Sequence, residues 1–206
     1  VASKEHGGMT QHIGAYQVTH NSSLITFIDT PGHAAFEKMR SRGAEAADIS
    51  ILVVSVDDGV MPQTIEAIKH IQKAMTPMIV AVNKIDLPGI NVKVQTEKIK
   101  RQLSDQKVLV EQYGGDVPVV EISAKTGAGV LELLETINLV SEMQEFKGDP
   151  EKGATGVIIE ANIDKFKGPV ATVLVRNGSL SKGDIIKAGN TRGKVRGMFD
   201  WAGKPV

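Results

Sequence analysis

Ile49–Val56 reads ISILVVSV, and Met78–Asp86 reads MIVAVNKID. The first is a nearly continuous apolar run bounded by polar residues, the pattern of a strand buried on both faces. The second is a strand that stops abruptly in Asn83-Lys84-Ile85-Asp86. Between them Pro62 opens a helical segment to about Met75, with proline at a favoured first-turn position. The alternation continues: Val94–Gln106 is a charged helix, Val117–Ser123 is strand-like, and Val130–Glu145 is a helix. In that last helix Val130, Leu133, Leu134, Ile137 and Val140 follow the spacing of one face. Strand–helix alternation predicts an α/β domain with a mainly parallel sheet and helices on both faces.

Outward from this centre the grammar changes twice. On the N-terminal side, residues 1–13 read as a polar loop, and Ala15–His20 with Leu24–Asp29 predicts an antiparallel hairpin about Asn21-Ser22-Ser23. Ala34–Ala44 has helical character. On the C-terminal side the polar stretch FKGDPEKG (146–153) reads as a connection. Beyond it the β-prone runs Gly156–Ile163, Val170–Arg176, Asp184–Ala188 and Lys194–Phe199 predict an all-β barrel or sandwich, with Asn177-Gly178 as a hairpin turn. The expected division is 1–147, a linker at 148–153, and 154–206 as the start of a β-barrel. So few residues are short for a closed barrel.

Composition narrows the class. The 206 residues carry 24 Lys+Arg against 24 Asp+Glu, so no global basic field points to nucleic acid. There is no cysteine, which removes disulfides and thiolate metal sites and favours a reducing compartment. No apolar run approaches the roughly 20 residues that span a bilayer, so no membrane partner is expected. The first residue is Val1, nothing there resembles a signal sequence, and the chain is expected to belong to a longer one.

Four constellations carry chemistry. Asp29-Thr30-Pro31-Gly32-His33 follows a strand end. The aspartate can orient a Mg2+ ion, Gly32 lets its N–H approach an anion, and His33 can position a water or move a proton. The same residues also suit an aspartate capping a helix beside a surface histidine. Asn83-Lys84-Ile85-Asp86 comes directly after a strand. There Asp86 can accept from the N1–H and exocyclic amine of guanine, a donor pair adenine lacks. Asn83 can reach N7 of the base, and the Lys84 stem can cover its face. Ser123-Ala124-Lys125 ends the following strand, where a small residue lets a backbone N–H reach the guanine O6. Ligands bind outside the carboxyl ends of parallel strands, and these three motifs fall there in order. The fourth is GGMTQHIG (7–14), where Thr10 in a glycine-flanked loop can meet Mg2+ and a terminal phosphate; a flexible tail is the alternative. His6, His12, His20 and His70 have no recognisable partners and are read as solvated.

DTPGH, NKID and SAK resemble the phosphate-sensing, guanine-reading and guanine-supporting motifs of the GTPases of translation. Within that superfamily, GGMTQHIGAYQV, FIDTPGHAAFEKMRSRGAEAADI, DDGVMPQTIEAIKH and EQYGGDVPVVEISAKTGAGVLELLE resemble the bacterial-type translation initiation factor two family. GPVATVLVRNGSLSKGDIIKAG resembles that family's β-barrel domain. The resemblance covers essentially the whole chain; Met9 stands where the family usually has isoleucine. A larger departure is the GHVDHGKT phosphate loop, which lies in the family upstream of residues matching VASKEHGG. The fold class implied is a P-loop GTPase-type sheet without its first strand and phosphate loop, followed by a partial β-barrel. In the family's sheet that first strand lies between those matching Leu24–Asp29 and Ile49–Val56.

The resemblance implies GTP/GDP and Mg2+ as cofactors. Thr10, Asp29, Thr30, Pro31, Gly32, His33, Asn83, Lys84, Asp86, Ser123, Ala124 and Lys125 would contact the nucleotide, with Thr10 and Asp29 at the metal and His33 catalytic. It implies a ribosome-stimulated GTPase, with this stretch inactive by itself. Both subunits of a bacterial-type ribosome would be partners, with initiator tRNA bound by later domains and the protein a monomer. The compartment would be bacterial cytoplasm or mitochondrial matrix. An elongation-type or tRNA-delivering GTPase and a nucleotide-free interaction module are the rival readings.

Overall fold

The computed structural model describes residues 14–30 and 43–206. They fall into two compact units, one within Gly32–Glu145 and the other comprising Phe146–Val206 with the N-terminal hairpin.

In the first unit, β3 (Ser50–Ser55), β4 (Met78–Asn83) and β5 (Val119–Glu121) form a parallel sheet in the order β3-β4-β5. Ile51 is opposite Ile79 and Val80 is opposite Val119. The central strand explains its own sequence. Ile79, Val80, Ala81 and Val82 are all fully buried, so both faces of β4 are covered and a continuous apolar run is required. One face joins Val80 and Val82 to Leu52 and Val54 of β3. Ile68 and Ile71 of α1 (Pro62–Ala74) and Ile99 and Leu103 of α2 (Val92–Asp105) pack in the same cluster. α3 (Val130–Met143) packs on β4 and buries Leu133 and Ile137 outside that cluster, which places it on the other face. Helices on both faces of a parallel sheet are thus present. Burial on both faces does not extend to β3 among the described residues, however: Val53, opposite Ala81, is 56% exposed.

The helix ends are set locally. Pro62 occupies the first turn of α1 after an extended Met61, whose N–H donates to Thr64 Oγ1 at 3.1 Å. α1 stops where Met75 turns left-handed at φ 54°. Asn91 caps α2 by accepting from Val94 N at 3.3 Å, so the helix begins two residues before the predicted Val94. Gly129 precedes α3 at φ 71°, and a Cβ there would lie 2.0 Å from Glu121 O. No side chain fits.

In the second unit, β1 (Gly14–His20) and β2 (Ser23–Asp29) pair antiparallel about Asn21 and Ser22, both at positive φ, the geometry of a tight two-residue hairpin. Tyr16 stacks on its cross-strand partner Phe27 with centroids 5.2 Å apart. β6 (Thr155–Asp164) pairs with β7 (Gly168–Asn177), and β8 (Ile185–Ala188) with β9 (Thr191–Lys194), all antiparallel.

Three expectations change here. The last strand is Thr191–Lys194 and not Lys194–Phe199, because the chain reverses at Gly189-Asn190 and the register of β8 ends with it. Asn177-Gly178 joins no hairpin. Asn177 Oδ1 accepts from Asp149 N at 2.7 Å, and Gly178, at φ 78°, lies where a Cβ would meet Gly153 O at 2.4 Å. The pair therefore holds the polar connection against the end of β7, together with a Ser179 hydroxyl donated to Pro150 O at 2.8 Å. His20 and His70, read as solvated, have buried Nε2 atoms, and that of His70 stands 3.6 Å from Glu66 Oε1.

Candidate functional site

β4 and β5 are neighbours and parallel, so the residues that follow them emerge side by side. The ladder continues past the strands: Ile122 N donates to Val82 O at 2.8 Å and Ile85 N to Ile122 O at 3.3 Å. Asn83–Asp86 and Ser123–Lys125 are thereby held against one another.

Asn83 joins the two segments. Its Oδ1 accepts from Lys84 N at 2.8 Å and from Ala124 N at 3.0 Å. Lys84 sits at φ 69°, a left-handed conformation costly for any residue with a Cβ, and the bond to Asn83 secures it. Its backbone turn frees Asp86 to face Ser123, whose hydroxyl donates to Asp86 Oδ1 at 2.6 Å. Ser123 is fully buried and also accepts from Thr126 N at 3.1 Å, which closes the Ser-Ala-Lys-Thr-Gly turn. Gly127 N adds a bond to Ser123 O at 2.8 Å.

The electrostatics favour an ionised carboxylate. The Ser123 hydroxyl, then the backbone N–H of Asp86 itself and the Lys125 charge, hold Asp86 below the usual carboxylate range against a smaller desolvation effect. A carboxylate offers about four acceptor positions and Ser123 uses one, so the group can still accept a pair of parallel donors. That donor set matches the N1–H and amine edge of guanine. Sequence reading named these six residues but not their partners. Ser55, Asp57 and Asp58, at the end of β3, join the site through Lys84: its Nζ lies 3.2 Å from Asp57 Oδ1 and 3.6 Å from Asp58 Oδ2. The available signal was their own position, a pair of carboxylates directly after a strand in the same sheet.

The phosphate-side candidates are placed differently. Asp29 ends β2, and Thr30 follows it, both in the second unit. Asp29 is close enough that, after burial, its charge is the second cause raising the Tyr16 phenol. Thr10, Pro31, Gly32 and His33 lie outside the described residues.

Residues 1–142 match the family model described as the elongation factor Tu GTP binding domain. The chain belongs to that family. Residues 153–206 match elongation factor G domain 2, so this member continues into a second translation-factor module. Over all 206 residues the chain is 54% identical to translation initiation factor IF-2 of Clostridium novyi (strain NT), covering 30% of that protein. The chain thus spans less than a third of that relative's length. Among solved structures, GDP-bound aIF5B from Aeropyrum pernix aligns with 90% of this chain and 39% of its own, at 30% identity and TM-score 0.71. Elongation factor SelB from Methanococcus maripaludis, in complex with the GTP analogue GPPNHP, aligns with 96% of this chain and 43% of its own, at 26% identity and TM-score 0.75. The parallel sheet followed by antiparallel strands is the arrangement of translational GTPases.

Proposed function

We propose that this chain binds GTP and GDP through Asn83, Lys84, Asp86, Ser123, Ala124 and Lys125, and that the protein containing it is a translation initiation factor of a bacterial-type ribosome. The observation that carries the reading is the bond from buried Ser123 to Asp86. It aims an ionised carboxylate away from the loop that holds it, ready for the guanine donor pair. Adenine lacks that donor pair and would leave the remaining acceptor positions of Asp86 without a partner, which discriminates against it. Asn83, with Oδ1 occupied internally, keeps its amide N–H groups for N7. The Lys84 stem covers the ring face, and the Ala124 methyl leaves room for O6.

Thr10, Asp29, Thr30, Pro31, Gly32 and His33 form the phosphate half in this reading. The described residues contain no group of three His, Cys, Asp or Glu side chains able to hold a metal. A single aspartate fits Mg2+, which keeps several waters and takes substrate phosphate oxygens as ligands. Asp29, with Thr10, would hold the ion, which when bound neutralises charge on the phosphates. His33 would position the attacking water, and the two segments would order around the terminal phosphate. GDP and a GTP analogue occupy the Aeropyrum and Methanococcus proteins, which supports a nucleotide role for the matching fold. Identity to the Clostridium factor supports initiation over elongation: initiator tRNA placement and subunit joining, with hydrolysis stimulated by the ribosome. The protein would act as a monomer wherever such ribosomes are found, in bacterial cytoplasm or mitochondrial matrix.

The test is base specificity. In the full-length protein, Asp86→Asn should weaken GDP binding and gain xanthosine diphosphate. An Asp86→Asn protein that still prefers GDP over xanthosine diphosphate rejects the site.

A further inference from the structure

The end of β3 carries a group that guanine recognition as described does not use. Asp57 follows the strand by two residues, and Val56 N donates to Asn83 O at 2.9 Å, so the Asp57 turn is fastened beside the β4 end. Its carboxylate is held twice. The Ser55 hydroxyl donates to Oδ1, and Lys84 Nζ approaches both oxygens, at 3.2 and 3.3 Å. Since β4 lies between β3 and β5, the Lys84 chain runs towards β3 while Asp86 and Ser123 sit on the β5 side. The base would lie between, against the lysine stem.

We propose that Asp57, fixed by Ser55, is a positioning residue for nucleotide binding: it stretches Lys84 across the base site before any ligand arrives. This rests on the guanine reading above and adds a component to it. A lysine side chain otherwise populates many rotamers, and ordering it on binding weakens the complex. Tied at its tip, the stem presents a flat apolar strip of methylenes at no further ordering cost. Asp58, 3.6 Å from the same ammonium, reinforces the direction. The mutual effects agree with a standing pair: Ser55 first and Lys84 next hold Asp57 below the ordinary carboxylate range, and Asp57 first holds Lys84 above the ordinary lysine range. The left-handed backbone of Lys84 fits the same purpose, because it aims the side chain back over the neighbouring strand.

The experiment is release of N-methylanthraniloyl-GDP from the full-length protein, chased with unlabelled GDP in a stopped-flow instrument. Asp57→Asn should release the probe about two- to five-fold faster, the range an exposed ion pair supports. Asp57→Glu, which keeps the carboxylate, should return the rate towards wild type. In a Lys84→Met background, Asp57→Asn should add nothing, because its only route to the ligand is gone. A wild-type rate in Asp57→Asn, or an acceleration that persists in full on Lys84→Met, overturns the proposal. Should Asp57→Asn not fold, Ser55→Ala carries the same test, and release at the wild-type rate there overturns it equally. Wild-type protein that takes up no probe refutes the guanine reading itself. Wild-type binding with an indifferent Asp57 refutes only the positioning role.

Discussion

Asn83 separates two functions that one substitution can pull apart. Its Oδ1 accepts from Lys84 N at 2.8 Å and Ala124 N at 3.0 Å, and its amide nitrogen faces the ligand in the proposed reading. Asn83→Ala removes both internal bonds. A neutral hydrogen bond contributes about 0.5–1.5 kcal/mol net, and water replaces part of it at these accessible positions. The loss should be about 1–1.5 kcal/mol, near a tenfold change in local opening. Asn83→Asp keeps an acceptor at the same place and removes only the donor. Amide hydrogen exchange at Ala124 and Lys84 reads the internal bonds, and GDP affinity reads the donor. In Asn83→Ala both amides should exchange about tenfold faster and GDP should weaken. In Asn83→Asp the amides should stay protected while GDP still weakens. Unchanged protection in Asn83→Ala would refute the cross-strand pin, and unchanged GDP affinity in Asn83→Asp would refute the outward donor.

Three further outcomes are expected. Since the folded pKa of Asp86 is depressed, chiefly by Ser123, its ionised contribution is complete above the ordinary carboxylate range and is lost only as pH falls through the lower value. The Asp86 carboxyl chemical shift should therefore titrate below that range in wild type and move up into it in Ser123→Ala; coincident titrations would reject the hydroxyl as the cause. His33→Ala should leave GTP affinity nearly intact and abolish ribosome-stimulated hydrolysis, and undiminished turnover on ribosomes would remove that histidine from the mechanism. Leu103→Ala, at a fully buried position of α2 facing β3 and β4, should destabilise by about 2–5 kcal/mol in urea unfolding, and a loss under 1 kcal/mol would mean the core is not shared as described.

Fold legibility followed burial. β4 was readable because all four of its interior residues are covered, so no polar residue interrupts the run. β3 reads almost the same in sequence, yet Val53 is exposed, since hydrophobicity records that a strand is apolar and not which neighbour covers it. In the second unit β propensity misplaced the last strand. Lys194–Phe199 is as β-prone as Thr191–Lys194, but a two-residue reversal at Gly189-Asn190 decides which residues can face β8. Asn177-Gly178 failed for the converse reason: a turn-forming pair was selected by a passing backbone, where only glycine leaves space beside Gly153 O.

At the proposed site, the residue types assigned to the ligand were legible and the residues that aim them were not. Asp86 and Asn83 belong to a compact motif at a strand end, where spacing along the chain already restricts their geometry. Asp57 is 27 positions from Lys84, and only the parallel pairing of β3 with β4 brings it within 3.2 Å. The same holds for Ser123 and Asp86, 37 positions apart and 2.6 Å in space. Such pairs follow from strand order, because in a parallel sheet all carboxyl ends open on one edge. The order β3-β4-β5 makes Lys84 and Asn83 the central pair, with one neighbour to receive the ammonium and another to receive the carboxamide. A sheet with β3 and β5 exchanged would keep every motif in the sequence and direct Lys84 into Ser123. The proposed base recognition therefore depends on topology as much as on the motif.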